Sequence, residues 1–560
     1  MKNIFYNRLL LFICMTALVS SCSEDYLDAT QYGSFDEETY YGTKDAGFKV
    51  VAWCYKPMDE HWTYQTMRFD IGNQIFDDAD KGGSDAGDRL DIALIGTGKP
   101  LPTNSTLNDL WVHRYNAIAR CNIALDNLTK EGLQLIDASG NYVAEGTKSR
   151  FISEVKFLRA WYYFDLVSVF GGVPLLTTTP TADQKSSLVR ASIEDVRTQL
   201  LKDIDDCIAD ANVPEASELP ASDLGRVTND AALAFKSRVC LFFAGLMESS
   251  KMTGEANAEY ALARDAAKAV IQKNYFGLVD DFQTLFRGDY IEGINSKECI
   301  FTIVRNYDPT FALAGSVVPQ MNSGRGAAGG WGGDVPTKNL VAEFEPGDPR
   351  LLFTVIQSGD IYPNKGGQDV VHNYTGYDNV HGYHSRKDFV PSIYRLNGED
   401  LMSSRWTLYL IRYAEVLLNY AEALNKTNGS KQEVADVLNT IRRRAFLTTS
   451  RQDAAAKMRQ LVVLPVTQAQ FDLNYKIEQS DDLQQAVRHE RRVELAMEGF
   501  RFNDLIRWNN YVTVMQAYST RPYANGNKGK QVTDATWPYP IPQTEIDRTG
   551  GSITQNPGYN

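Results

Sequence analysis

The chain has 560 residues, 43% hydrophobic and 23% charged, a globular composition with ample length for a large core. Its formal charge of −13 repels phosphate backbones, which argues against a nucleic-acid partner. Past the first two dozen residues no apolar run reaches the ~18 residues of a membrane-spanning helix.

The N-terminus opens with Lys2 and Arg8, a short apolar stretch over residues 9–19, and the small residues Ser20 and Ser21 before Cys22. That is a secretory signal over residues 1–21. The ending Val19-Ser20-Ser21-Cys22 resembles the lipobox of bacterial lipoproteins, in which Cys22 becomes the lipid-modified first residue. An ordinary cleaved signal with an incidental cysteine is the alternative. Of the seven cysteines, Cys14 leaves with the signal. Cys54, Cys121, Cys207, Cys240 and Cys299 remain, widely spaced and without a C-x-x-C pair, so neither a disulfide framework nor a zinc site is indicated.

Residues 60–105 are irregular, with Asp77, Asp78 and Asp80 running into Gly82 and Gly83, then Gly96 and Gly98. Helical spacing follows. Trp111, Tyr115, Ile118, Asn122 and Leu125 mark one stripe; Phe151, Val155, Leu158, Tyr162 and Val169 mark its mate. A second pair is capped by Ser192, with Asp195 three residues on, and its partner runs from Asn229 to Gly245. Another helix is expected over residues 256–273. Residues 305–400 are a second irregular segment, with glycines around Trp331 and then Tyr362, Tyr374, Tyr377, Tyr383 and Tyr394. Segments this long either carry function or conceal short strands and helices.

Further on, Trp406, Leu410, Tyr413, Leu417, Tyr420 and Leu424 read as one long helix stopped by Gly429. Ser430 and Glu433 form a capping box for the next helix, which carries Val434, Leu438, Ile441 and Ala445. So short a turn makes the two antiparallel. Helical pairs near 111–273 and 405–510 therefore predict a mainly α fold, a tetratricopeptide-like scaffold with an irregular, loop-rich half. The whole of 22–560 is expected to form one domain.

Catalytic motifs fail on inspection. His489-Glu490-Arg491-Arg492-Val493 lacks the second histidine of a zinc protease. Residues 324–329 match G-x-G-x-x-G by letters, but neither a preceding strand nor a following helix is credible. His372, His381 and His384 share the aromatic segment without an obvious fourth ligand, and read as polar surface or ligand contacts. A glycosidase pair of carboxylates cannot be read from sequence, because it is defined by separation in space. Glu490, Glu494 and Glu498 recur every four residues beside Arg488, Arg491, Arg492, Arg501 and Arg507. Like charges so spaced repel, so this is expected to be a structural ion-pair network.

The last of these segments is also distinctive as a string. Glu490-Arg491-Arg492-Val493-Glu494-Leu495, followed by Glu498-Gly499-Phe500-Arg501-Phe502-Asn503-Asp504-Leu505-Ile506-Arg507-Trp508, resembles the C-terminal signature of the RagB/SusD family. The resemblance takes in Phe157-Leu158-Arg159-Ala160-Trp161-Tyr162-Tyr163-Phe164 with Phe170-Gly171-Gly172-Val173-Pro174. It continues through Arg412-Tyr413-Ala414-Glu415-Val416-Leu417-Leu418 and Leu438-Asn439-Thr440-Ile441-Arg442 to the ending Ile541-Pro542 and Gln555-Asn556-Pro557-Gly558-Tyr559.

The resemblance implies a non-catalytic, surface-facing outer-membrane lipoprotein with four tetratricopeptide-like helix pairs. Such a protein binds oligo- or polysaccharide and passes it to a TonB-dependent transporter of the SusC type. The acidic Ser23-Glu24-Asp25 after Cys22 looks like the export signal of such surface lipoproteins. No catalytic residue, metal or cofactor is expected. Sugars present flat apolar faces ringed by hydroxyls, so their sites pair exposed aromatics with carboxylates, amides and guanidinium groups. The expected contacts are therefore Asp78 and Lys81 in the segment 76–83, Trp331 on a mobile glycine loop with Asp334 beside it, and Tyr374, Tyr377 and Tyr383. A secreted glycan hydrolase and a protein-binding tetratricopeptide adaptor are the alternatives.

Overall fold

The apolar stripes become helices, and side-chain caps start several of them. A computed structural model describes residues 37–60, 66–286, 296–304, 315–325, 329–363, 369–372, 381–396, 401–404, 406–450 and 466–559. Its principal helices are α1 (Ala46–Asp59), α2 (Leu90–Thr97), α3 (Ser105–Leu128), α4 (Glu145–Phe170), α5 (Ile193–Ala209) and α6 (Asn229–Glu248). They continue as α7 (Ala256–Gln272), α8 (Tyr413–Lys426), α9 (Lys431–Arg443), α10 (Leu483–Glu494), α11 (Arg501–Arg507) and α12 (Tyr511–Ser519). Asn104, Ser192, Thr228 and Ser430 each accept a backbone N–H in the first turn of the helix that follows.

From α3 to α9 each helix packs on the next, giving the tetratricopeptide-like array, and α10 lies against both α8 and α9. The seams are aromatic. Trp161 stacks on Phe235 with ring centroids 4.5 Å apart, and Phe157 and Phe301 close on the same cluster. Cys54, Cys121, Cys207 and Cys240 are buried free thiols among these helices, acting as small hydrophobes.

The irregular segments do conceal short elements. Four two-stranded antiparallel ladders brace them: β1 (Ala79–Lys81) with β3 (Asp334–Pro336), β2 (Cys299–Ile303) with β8 (Leu408–Arg412), β4 (Val355–Gln357) with β7 (Tyr383–Ser385), and β5 (Asp360–Pro363) with β6 (Asp369–His372). In the first ladder Asp80 lies opposite Val335, which joins residues 60–105 to residues 305–400.

Four local expectations are corrected. The stripe beginning at Trp406 is not all helix, because β8 takes residues 408–412 and α8 starts at Tyr413. That stretch is apolar on both faces and suits either period, and the partner strand β2 decides it. Gly245 does not end α6, which runs on to Glu248. A Cβ at Gly245 would sit 2.3 Å from the Arg507 carbonyl oxygen, so this glycine lets α11 approach. After α8 the left-handed residue is Asn428 (φ 54°), and Gly429 instead donates its N–H to the Leu424 carbonyl at 2.8 Å. The Ser430 cap forms, but Glu433 accepts from the Tyr420 hydroxyl at 2.6 Å and does not complete a box.

Candidate ligand-binding site

The acidic face of α10 is internal. Glu494 accepts from Arg350 at 3.0 Å and Arg412 at 2.7 Å, and pairs with Arg444. Glu490 binds Arg350 and Arg442, while Glu498, just past the helix end, binds Arg412 and Lys387. All of these groups are buried. Burial alone would raise the Glu494 carboxyl; the guanidinium groups of Arg444, Arg412 and Arg350 overcome it and hold it well below the usual carboxylate range. The same contest at Glu498, against Arg412 and Lys387, brings it to about 2. Arg350 and Lys387 come from the irregular segment, Arg412 from the end of β8, and Arg442 and Arg444 from α9 and the helical turn that continues it, so the network bolts these parts together.

The adjoining arginines reach further. Arg492 and Arg501 grip Asp77 and Asp78 just before β1, and Gly499 donates its N–H to the Asn73 side chain at 3.0 Å. These contacts fix the ladder β1–β3, and the ladder carries the exposed aromatic.

Trp331 stands immediately before β3 and is 47% exposed. Its loop is pinned residue by residue. The N–H groups of Gly330, Trp331, Gly332 and Gly333 donate to the carbonyls of Gly324, Gln320, Ser323 and Met321 at 2.9, 2.8, 2.8 and 2.7 Å. The expectation of a mobile loop is therefore corrected. Glycine is required here for close approach: a Cβ at Gly82 would fall 1.6 Å from the Gly332 carbonyl oxygen. The result is a rigid backbone shelf with an indole presented to solvent.

Beside the shelf lies a polar cleft of about 620 Å³, lined by Asp70, Arg89, Asp91, Ser105, Asp109 and His113, among others. Ser105, Asp109 and His113 follow one another at four-residue spacing on one face of α3. Neither Asp109 nor His113 makes a hydrogen bond or ion pair through its side chain among the described residues, so both are available to a ligand. Arg89 pairs with Asp70 on the cleft wall, and a Cβ at Gly333 would lie 3.6 Å from its guanidinium, which sets cleft and shelf side by side. The shelf offers an exposed aromatic and the neighbouring cleft offers carboxylates, imidazole, hydroxyl and guanidinium, groups that suit a polyhydroxylated ligand.

Sequence comparison gives this architecture relatives. The model of the SusD family matches residues 297–559, and a second, described as starch-binding associating with outer membrane, matches residues 88–241. The chain is SusD-like over both matched stretches. SusD-like protein P38 of Formosa agariphila is 25% identical over 535 residues, covering 91% of this chain and 93% of its own. A SusD homologue of known structure from Bacteroides thetaiotaomicron superposes with a TM-score of 0.73 at 21% identity, covering 93% of this chain and 98% of its own. Surface glycan-binding protein A of the same organism, solved in complex with laminarihexaose, gives a TM-score of 0.68 at 20% identity, covering 92% and 100%.

Against this SusD fold the expected contact residues separate. Trp331 is where a ligand can reach it. Asp78 is not: it is buried and committed to Arg492. Lys81 is buried as well and donates to the backbone carbonyls of Asp85, at 3.1 Å, and Asp88. Asp334 is fully buried and accepts from Asn73 at 3.0 Å, and burial, with the charge of Asp388, pushes its carboxyl well up. All three shape the shelf from below. Tyr383 is half-buried on β7, and strand alternation turns it away from the side where His384 meets the loop at Gly332. Tyr374, Tyr377 and Cys22 lie outside the described residues.

The histidines expected at the surface are interior. His381 bonds Asp80 at 2.7 Å, and burial pushes His372 and His384 down to about 4 and about 3. Sequence reasoning missed Arg89, Asp109 and His113. The four-residue spacing on α3 was visible, but it reads the same as any solvated helix face.

Proposed function

We propose that this SusD-like chain is a surface-facing outer-membrane lipoprotein, anchored through Cys22. It binds oligo- or polysaccharide at the Trp331 shelf and its cleft, and hands the glycan to a SusC-type TonB-dependent transporter. The observation that carries the reading is the half-exposed indole on a hydrogen-bonded backbone shelf, flanked by a cleft in which Asp109 and His113 have no side-chain partner among the described residues. The laminarihexaose complex of a structural neighbour and the starch-binding description of one matching family model support it. In this reading the protein retains its glycan intact and carries out no chemistry on it.

Affinity electrophoresis of the signal-less protein in gels containing laminarin or starch tests the binding. Retardation of the wild type that is lost in Trp331→Ala is the expected result. Retardation unchanged by that substitution would place the site elsewhere, and release of reducing sugar would make the protein a hydrolase. Cys22→Ala should shift the protein from the membrane to the soluble envelope fraction. Membrane-bound Cys22→Ala protein of mature size, in cells lacking the transporter, would sink the anchor.

A further inference from the structure

The cations around the Trp331 shelf are already committed, while several carboxylates are not. Arg89 is paired with Asp70, and Arg325, which packs under Gly332, lies 3.3 Å from Asp88. Lys81 is turned inward onto two carbonyls. By contrast Asp91 accepts only the N–H and hydroxyl of Ser105. Asp85 accepts from the N–H groups of Gly87 and Asp88 and from the Ser84 hydroxyl, and Asp109 has no partner among the described residues. The groups around the shelf thus offer a ligand hydrogen-bond acceptors and negative potential, while Arg89, Arg325 and Lys81 each already face a carboxylate or carbonyl of the protein. The chain's net charge of −13 adds a field of the same sign.

We infer that the site selects uncharged glycans and excludes polyanionic ones, such as polyuronates and sulfated polysaccharides. This rests on the glycan-binding reading above and goes further by fixing the ligand's charge class. Carboxylates suit neutral sugars because each hydroxyl can donate to them. The carboxylate of a uronate, or a sulfate ester group, has no proton to donate in the same place and meets a like charge. Recognition of such anions ordinarily uses bidentate arginine, and Arg89 and Arg325 here already face the carboxylates of Asp70 and Asp88.

The test runs two panels in affinity gels at low salt: neutral laminarin, starch, xyloglucan and galactomannan, against alginate, polygalacturonate and carrageenan. At least one neutral polymer should retard the protein through Trp331, with every polyanion at least tenfold weaker. Asp109→Lys, an exposed change that should leave the melting temperature in place, should raise retention by polygalacturonate severalfold. Salt of about 1 M, where the screening length falls to about 3 Å, should narrow the gap between the panels. Retention of the wild type by a polyanion and not by neutral polymers, lost in Trp331→Ala, would overturn the charge assignment and leave the glycan-binding reading standing. So would a discrimination that Asp109→Lys and salt both leave unchanged. Retention by neither panel would fail the glycan-binding reading itself.

Discussion

The α10 network and the Trp331 shelf are both built from residues that look functional in a sequence, and they differ in what their polar groups have left to give. In the network each carboxylate of the repeating triad meets cations at hydrogen-bond distance, and the whole is sealed from water. At the shelf the aromatic is exposed, and in the neighbouring cleft Asp109 and His113 have no side-chain partner among the described residues. Charge satisfied within the chain builds scaffold; polar capacity left open at a surface is what a ligand can use.

Breaking the network should cost the most. Glu494→Ala takes one carboxylate from Arg412, Arg444 and Arg350, leaving them Glu298, Glu498, Asp348 and Glu490, and should destabilise the protein by about 2–4 kcal/mol. Glycan affinity of the folded fraction should be unchanged; normal stability with lost binding would reverse the comparison. Acid should act on the same groups. Glu494 and Glu498 titrate lower when folded than the ~4.3 of an unfolded glutamate, so their contribution is present above that pH and is lost as pH falls toward about 2. Denaturant melts between neutral and acid pH should show stability dropping across that window, and Glu494→Gln should flatten the drop.

Gly82→Ala tests whether the shelf is rigid. Its Cβ would meet the Gly332 carbonyl, so about 1–3 kcal/mol of stability and most of the glycan affinity should go together. Trp331→Ala should remove about 1–3 kcal/mol of binding and leave the melting temperature in place. Earlier melting with normal binding would make Trp331 a plug. The smallest effect concerns His489. Burial would lower it, but Glu343 and Glu345 raise it to about 9. Its stabilisation is complete below the unfolded value of ~6.5 and fades as pH rises through about 9. His489→Gln should remove that alkaline slope from a stability profile and little else.

The helical array was legible because burial imposes a 3.6-residue period on the apolar side chains of α3, α4 and α8. The network was legible because like charges four apart on one face demand partners. The shelf was only half legible. Glycines beside an aromatic read equally as a mobile loop or as close packing, and only the Gly332 carbonyl lying under Gly82 decides between them. Asp78 and Asp334 resembled ligand groups because sequence does not say which way a carboxylate faces. Arg492 and Asn73, far away along the chain, are what turn them inward.

The same distances set an order of assembly. Arg492 reaches Asp78 across 414 positions, and Arg412 reaches Glu494 across 82. A chain emerging from its N-terminus therefore carries Arg350 with only Asp348, and Arg412 and Arg444 with only Glu298, as network carboxylates until residues 490–508 arrive. Contacts so remote in sequence form late and slow the folding rate. The C-terminal segment acts as a latch: translation must finish before the two halves can close, and a chain cut short before Glu490 should stay open and be cleared by proteases.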